Sequence, residues 1–387
     1  MRNQKLDDIL GAATANGTIP GVVAGVATAD GVIYQGAHGV RELGNSTAMT
    51  DDTVFWVASM TKAVTAAAAM QLVERGRLTL DAPASEWIAY LGRVQVCEGF
   101  DAGGQPRLRP PRRPITLRHL LTHTSGFVYN IWNETMARYQ STQPAPARVP
   151  GRNVALELPL AFDPGERWEY GIGIDWAGVL VEVVSGQRLG AYFDEHILGP
   201  LGMTSTSFAL SNNQLARRAA LHARTAAGLS TTRAFMPDTP EFDGGGGGLH
   251  STVPDYLQFA QMILHGGTWN GATILAPETV ALMSRSHIGA LNVTPMRSVN
   301  PAFSNDCDFF PGMVQKWGLS FLINTERSAE GRCAGSLAWA GLANCYYWID
   351  RDQPLTAVMA TQIMPFCDAE VLALLRRFER ALYTTLG

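Results

Sequence analysis

Strand-forming runs at both ends of the chain, with helical patterns between them, predict a mixed α/β (α+β) fold. One sheet is closed by both termini and interrupted by a mainly helical insertion. The first sixty residues carry the β-type runs Val22-Val-Ala-Gly-Val-Ala-Thr and Val32-Ile-Tyr-Gln-Gly-Ala. The last seventy carry four more: Trp317-Gly-Leu-Ser-Phe-Leu-Ile, Ser336-Leu-Ala-Trp-Ala-Gly, Cys345-Tyr-Tyr-Trp-Ile-Asp and Leu355-Thr-Ala-Val-Met-Ala-Thr-Gln. Helical patterns recur at 116–122, 175–185, 189–198 and 254–266.

Taken in order, the chain opens on an amphipathic helix. Ala29-Asp30-Gly31 joins the first two strands as a hairpin turn. Phe55-Trp-Val-Ala-Ser-Met-Thr-Lys leads into an alanine-rich helix that Gly76 closes as a C-cap. Residues 99–114 and 141–152, rich in Gly, Pro and Arg, read as loops. Gly244 to Gly248 is a five-glycine run; packed between Phe242-Asp243 and a helix start, it predicts a tight backbone passage through the interior. Asp368 to Leu386 is a closing amphipathic helix. No internal repeat is visible.

Composition narrows the function. The chain has 387 residues, 46% of them apolar and 17% charged, enough for a sizeable core. Thirty Lys+Arg against 34 Asp+Glu give a formal charge of -4, which argues against nucleic-acid or anionic-membrane partners. Cys97, Cys307, Cys333, Cys345 and Cys367 are scattered and odd in number, which reads as reduced thiols rather than a disulfide framework or zinc site. No leader-like apolar run follows the basic residues at the start, so the expected location is cytoplasmic.

Ser59 and Lys62 lie three apart at a helix start and so share a face. An isolated pair of this kind is by default an N-cap and a surface lysine, but an exposed cap has no need of the apolar Phe-Trp-Val-Ala approach. Functionally, serine needs a proton acceptor to become a nucleophile, and a buried lysine can serve. Tyr170, after the turn Pro164-Gly-Glu, is either a packing residue or a proton relay. Trp339-Ala340-Gly341 ends a strand, either as a simple turn or as an edge for substrate. In the second case the Leu342 N–H pairs with that of Ser59 as an oxyanion hole. His119 and His123 have helical i, i+4 spacing without a glutamate between them, so they read as structural and no metal is expected. No G-x-S-x-G or phosphate-binding loop occurs, and no cofactor is called for.

Trp56-Val-Ala-Ser-Met-Thr-Lys62, Leu120-Leu-Thr-His-Thr-Ser-Gly126, Tyr170 after Pro164-Gly-Glu, Gly245-Gly-Gly-Gly-Leu249 and Trp339-Ala-Gly341 stand in the order seen in serine β-lactamase-like proteins. The sequence resembles family VIII carboxylesterases and related acyltransferases, relatives of class C β-lactamases. The resemblance implies a β-lactamase/transpeptidase-like fold: an antiparallel sheet flanked by helices in residues 1–80 and 255–387, a mainly helical domain in 81–254, and a cleft between them. It also implies Ser59 as nucleophile, Lys62 as its proton acceptor, Tyr170 as relay, and Ser59 and Leu342 as oxyanion amides. Penicillin-active members carry Tyr-x-Asn and Lys-Thr-Gly where this chain has Ile172 and Trp339. With Trp339, Ala340, Gly341 and Ile172 read as substrate-binding, and Trp132, Trp168, Trp176, Trp317 and Trp348 as candidate pocket walls, a neutral ester fits better than a penicillin. The expected activity is hydrolysis of small carboxylic esters through an acyl-enzyme. A β-lactamase, D-peptide or amide hydrolase, or acyltransferase working at the same site is the alternative, and a non-catalytic binding protein is a further class. The oligomeric state is left open.

Overall fold

The computed structural model describes residues 3–143, 154–234 and 236–386. Helix α1 (Gln4–Ala15) starts where the Asn3 side chain accepts the Leu6 N–H, and it buries Leu6, Leu10 and Ala13 along one face. Strands β1 (Gly21–Thr28) and β2 (Gly31–Gly39) form the expected hairpin, with Thr28 opposite Gly31. Helix α2 (Thr61–Glu74) is buried along nearly its whole length. Its alanines let helix α3 (Gly173–Ser185) pack closely against it. Gly76 follows with φ +66° and ends the helix as expected. Helix α4 (Val253–Leu264) then returns the chain to the sheet, capped by Thr252 with Pro254 in its first turn.

The remaining strands are β3 (Gln315–Trp317), β4 (Leu322–Asn324), β5 (Leu337–Gly341), β6 (Cys345–Asp350) and β7 (Leu355–Ala360). The seven-stranded sheet runs β3-β4-β5-β6-β7-β1-β2 and is antiparallel throughout. Strand β1 is therefore internal, paired to β7 from Val23 opposite Ala360 to Thr28 opposite Leu355. Helix α4 packs across β1, β6 and β7; α1 packs on β2 and on the last helix, α5 (Ala369–Leu386). With helices on both faces, β1, β5, β6 and β7 are buried almost throughout and read as continuous apolar runs.

Four expectations change. The Trp317–Ile323 run is a tight hairpin, β3 and β4, turning at Ser320 with φ +77°. The 99–114 segment is not all loop: Val96–Phe100 pairs with Pro106–Arg109, and Asp101 Oδ1 accepts the N–H groups of Gly103 and Gln105 in the turn. Of the 141–152 loop, residues 141–142 end the helix Glu134–Thr142, and 144–152 lie outside the described residues. The reading of five reduced thiols is also corrected, because Cys307 and Cys367 form a disulfide, leaving Cys97, Cys333 and Cys345 free and buried. Their separation of 60 residues hides the pairing from any spacing rule. The bond removes the cysteine argument for a reducing compartment. Among the described residues, no helix is long and apolar enough to cross a membrane.

Candidate active site

Ser59 sits at a sharp bend. The Val57 N–H donates to the Leu249 carbonyl, Ala58 adopts the left-handed region at φ +44°, and a short 3₁₀ turn, Ala58–Met60, runs into α2. A non-glycine residue in that region is strained and persists only where its surroundings hold it. Here the Thr61 hydroxyl donates to the Ala58 carbonyl at 2.6 Å and accepts the Leu249 N–H at 3.1 Å, while Tyr256 Oη donates to the Met60 carbonyl at 2.8 Å.

Lys62 lies one turn on, fully buried. Its Nζ donates to Ser59 Oγ at 3.1 Å, to Tyr129 Oη at 3.0 Å and to the Gly246 carbonyl at 2.5 Å. Three acceptors match the three N–H bonds of an ammonium. Burial disfavours that charge, but Tyr129, Tyr170 and Asp175 outweigh it and hold the Lys62 pKa above the ordinary lysine value. The three contacts therefore favour the ammonium form of the resting side chain.

The five-glycine run is the predicted tight passage, and its carbonyls do the positioning. Gly245 O accepts from Thr65 Oγ1 at 2.7 Å, Gly246 O from Lys62 and Gly247 O from Trp56 Nε1 at 2.7 Å. Asp175 Oδ1 in turn accepts the Gly246 N–H at 2.8 Å. A Cβ at Gly246 would lie 2.1 Å from Asp175 Oδ2, so any side chain there would push the carboxyl group from its place. Burial raises the Asp175 carboxyl pKa, an effect opposed by the Lys62 charge.

Tyr170 is placed by its neighbours on both sides. The His123 carbonyl accepts the Glu169 N–H at 3.0 Å, and His123 Nδ1 accepts the Gly171 N–H at 3.3 Å. Burial and the Lys62 charge push the His123 pKa well below the usual histidine value, so its ring is a neutral acceptor. The Tyr170 phenol oxygen accepts the Trp339 indole N–H at 2.9 Å, and Lys62 Nζ lies 4.9 Å from the centroid of the Tyr170 ring.

Strand β5 reaches the nucleophile through its last residue. A Cβ at Gly341 would lie 2.3 Å from the Val57 carbonyl, so glycine lets the strand end approach the segment before Ser59. Pairing to β4 stops at Ala338, so Trp339–Gly341 lie beyond the β4 pairing on that edge. Leu342, Ser59, Tyr129, Trp132, Tyr170 and Asp175 line one cavity of about 230 Å³.

The structure thus brings Ser59, Lys62, Tyr170 and Leu342 together. It does not put Trp339, Ala340, Gly341 or Ile172 on the cavity wall: all four are buried behind it. Trp339 is turned inward by its bond to Tyr170. Of the five candidate tryptophans only Trp132 lines the cavity, joined by Trp56; Trp168, Trp176, Trp317 and Trp348 are core. Sequence reasoning missed Tyr129 and Asp175. Tyr129 follows the quoted Leu120–Gly126 stretch by three residues, and Asp175 lies in the first turn of α3; those positions were the available signal. Burial pushes the Tyr129 phenol pKa up, so it stays protonated beside Lys62. His119 caps its helix through Thr116, and among the described residues no cluster of three His, Cys, Asp or Glu could hold a metal.

Comparison with known proteins gives the same frame. The sequence model of the family described as Beta-lactamase matches residues 6–380. Monacolin J acid methylbutanoyltransferase of Aspergillus terreus is 33% identical, over 86% of this chain and 82% of its own. Lovastatin esterase of Penicillium rubens is 31% identical over 96% of each. An unliganded structure of simvastatin synthase from Aspergillus terreus superposes with a TM-score of 0.87 at 29% identity, covering 98% of this chain and 97% of that one. A family match along nearly the whole chain, with relatives above 30% identity over most of both lengths, shows that the chain belongs to the beta-lactamase family of hydrolases and acyltransferases.

Proposed function

We propose that the protein is a serine esterase that cleaves small, neutral carboxylic esters through an acyl-enzyme on Ser59. The observation that carries this reading is the Ser59–Lys62–Tyr129 hydrogen-bonded chain at the wall of a largely apolar cavity. Tyr170, bonded by the Trp339 N–H and lying beside the Lys62 ammonium, acts as the general base in the reacting state. It takes the Ser59 proton as Oγ bonds to the carbonyl carbon. The Ser59 and Leu342 N–H groups hold the oxyanion. As the ester C–O bond breaks, Tyr170 returns that proton to the leaving alkoxide. Water then attacks the acyl carbon by the same relay, releasing the acid and restoring Ser59. Lys62 keeps its protons and acts through charge.

Acyl transfer is the second reading, favoured by the methylbutanoyltransferase among the relatives. It differs only in the acceptor that replaces water. The test is turnover of nitrophenyl acetate and butyrate beside a chromogenic cephalosporin, with intact mass measured after quenching. Butyryl transfer to Ser59, and loss of turnover in a folded Ser59→Ala variant, are expected. An adduct on another residue, or full activity of the variant, overturns the reading.

A further inference from the structure

Beside the Ser59 cavity lies a second one of about 120 Å³, and the two share Trp56 and Met236 as walls. Trp56 is a fixed partition. Its indole donates to Gly247 O, and its backbone N–H and carbonyl are both bonded by the Gln362 amide, at 3.3 and 3.1 Å. Met236 is the second wall residue common to both cavities.

The annex has different chemistry from the reaction cavity. Arg218 and His250 line it. Arg218 pairs through Nη1 with Asp238, but Asp238 lies outside the lining, and the planar fork carries further N–H groups. His250 is 2% exposed, and its Nδ1 has no hydrogen-bond partner among the described residues. Burial and the neighbouring Arg218 hold its pKa down to about 4, so at pH 7 the ring is neutral and offers one N–H. The annex wall therefore carries one guanidinium and one neutral imidazole, both able to donate to an acceptor oxygen.

We infer that the annex is a second subsite, taking an acceptor oxygen (a carboxylate or a neutral carbonyl) carried on the alcohol part of the ester. The apolar Ser59 cavity suits a short acyl chain, which leaves the polar end of the substrate to Arg218 and His250. The inference rests on the esterase reading for its substrate class, but its test does not need turnover.

The test measures binding of 2-naphthol, 6-hydroxy-2-naphthamide and 6-hydroxy-2-naphthoate to the full chain by calorimetry, beside kcat/KM for their butyryl esters. The naphthoate or the amide is expected to bind at least about 10-fold tighter than naphthol. A carboxylate preferred over the amide assigns the recognition to the Arg218 charge; equal gains assign it to a neutral carbonyl. Arg218→Gln should erase the carboxylate preference. Thr232→Phe, on an exposed strand at the annex wall, should block both ligands if the arginine variant fails to fold. Equal binding of all three compounds, or no binding of any, overturns the subsite. Absence of ester turnover with the binding preference intact overturns the esterase reading alone.

Discussion

The Trp339 indole N–H donates to the Tyr170 phenol oxygen at 2.9 Å, with the two ring centroids 4.8 Å apart. Trp339 therefore bonds the tyrosine and lies off the wall of the Ser59 cavity. Trp339→Phe keeps the ring and removes the donor. Loss of one charge-assisted hydrogen bond at the proton-relaying oxygen is worth on the order of 1.5–3 kcal/mol, or about 10- to 100-fold in kcat. Ester kinetics should show that fall in kcat with little change in KM. An unchanged kcat would mean the bond only packs the core.

Lys62 has three short bonds and is fully buried, and a guanidinium cannot reproduce that compact geometry. Lys62→Arg is therefore expected to lose about 100-fold or more in kcat, close to Lys62→Ala. Stopped-time ester assays on folded protein check this, and near-native turnover of the arginine variant would refute it.

The Asp175 carboxylate stands at the cavity wall, where a penicillin would bring its own. Like charges at close range disfavour each other, so benzylpenicillin turnover should lie well below butyrate ester turnover. Asp175→Asn keeps an acceptor for the Gly246 N–H and should narrow the gap by about 10-fold, roughly 1.4 kcal/mol. Parallel kcat/KM measurements on both substrates decide it.

Acid should weaken the fold before the carboxylates titrate. Burial, aided by Arg113 at His119 and Arg218 at His250, lowers both pKa values from 6.5 to about 4. The unfolded chain then binds protons first as pH falls. Stability from these rings is complete above about pH 6.5 and is lost as pH drops toward 4. Melting temperatures between pH 7.5 and 5 should decline, and His119→Gln should reduce the decline by about 2–4 °C. An identical decline in the variant would remove His119 from the account.

The Cys307–Cys367 bond closes a loop of 60 residues that carries β3 to β7. Cross-links of this kind contribute about 2–4 kcal/mol, chiefly by restricting the unfolded chain. A Cys307→Ser/Cys367→Ser protein should melt about 5 °C or more lower than the oxidised protein. Equal melting points would show that the loop is held by packing alone.

The sheet and its helices were legible because their cues are local. The β1–β2 turn at Ala29-Asp30, Gly76 after α2 and the apolar runs of β5 to β7 each announce themselves within a few residues. Charged and glycine-rich neighbours hid the Val96–Phe100 hairpin, which buries only Val96 and Cys97 and has little apolar alternation. At the site, Ser59 and Lys62 are three residues apart and so visible as a pair. Tyr129 and Asp175 reach Lys62 only through the fold, and their places just after Gly126 and in the first turn of α3 are a faint cue that does not name Lys62 as the partner. The direction of Trp339 was misjudged for the same reason: its partner, Tyr170, is 169 residues away.

The position of β1 sets an order of events for a chain emerging from a ribosome. Its partner β7 is made long after it, so β1 waits with one edge open until residues 355–360 have left the exit tunnel. Contacts this distant in sequence close slowly, and an open apolar edge is a template for pairing with another chain. The bend at Ser59 is anchored from the far side by α4 and β5, both synthesised after it. Assembly of the reaction centre therefore waits for residues 355–360, and a chain stopped before residue 355 would carry Ser59 and Lys62 without the sheet that holds them.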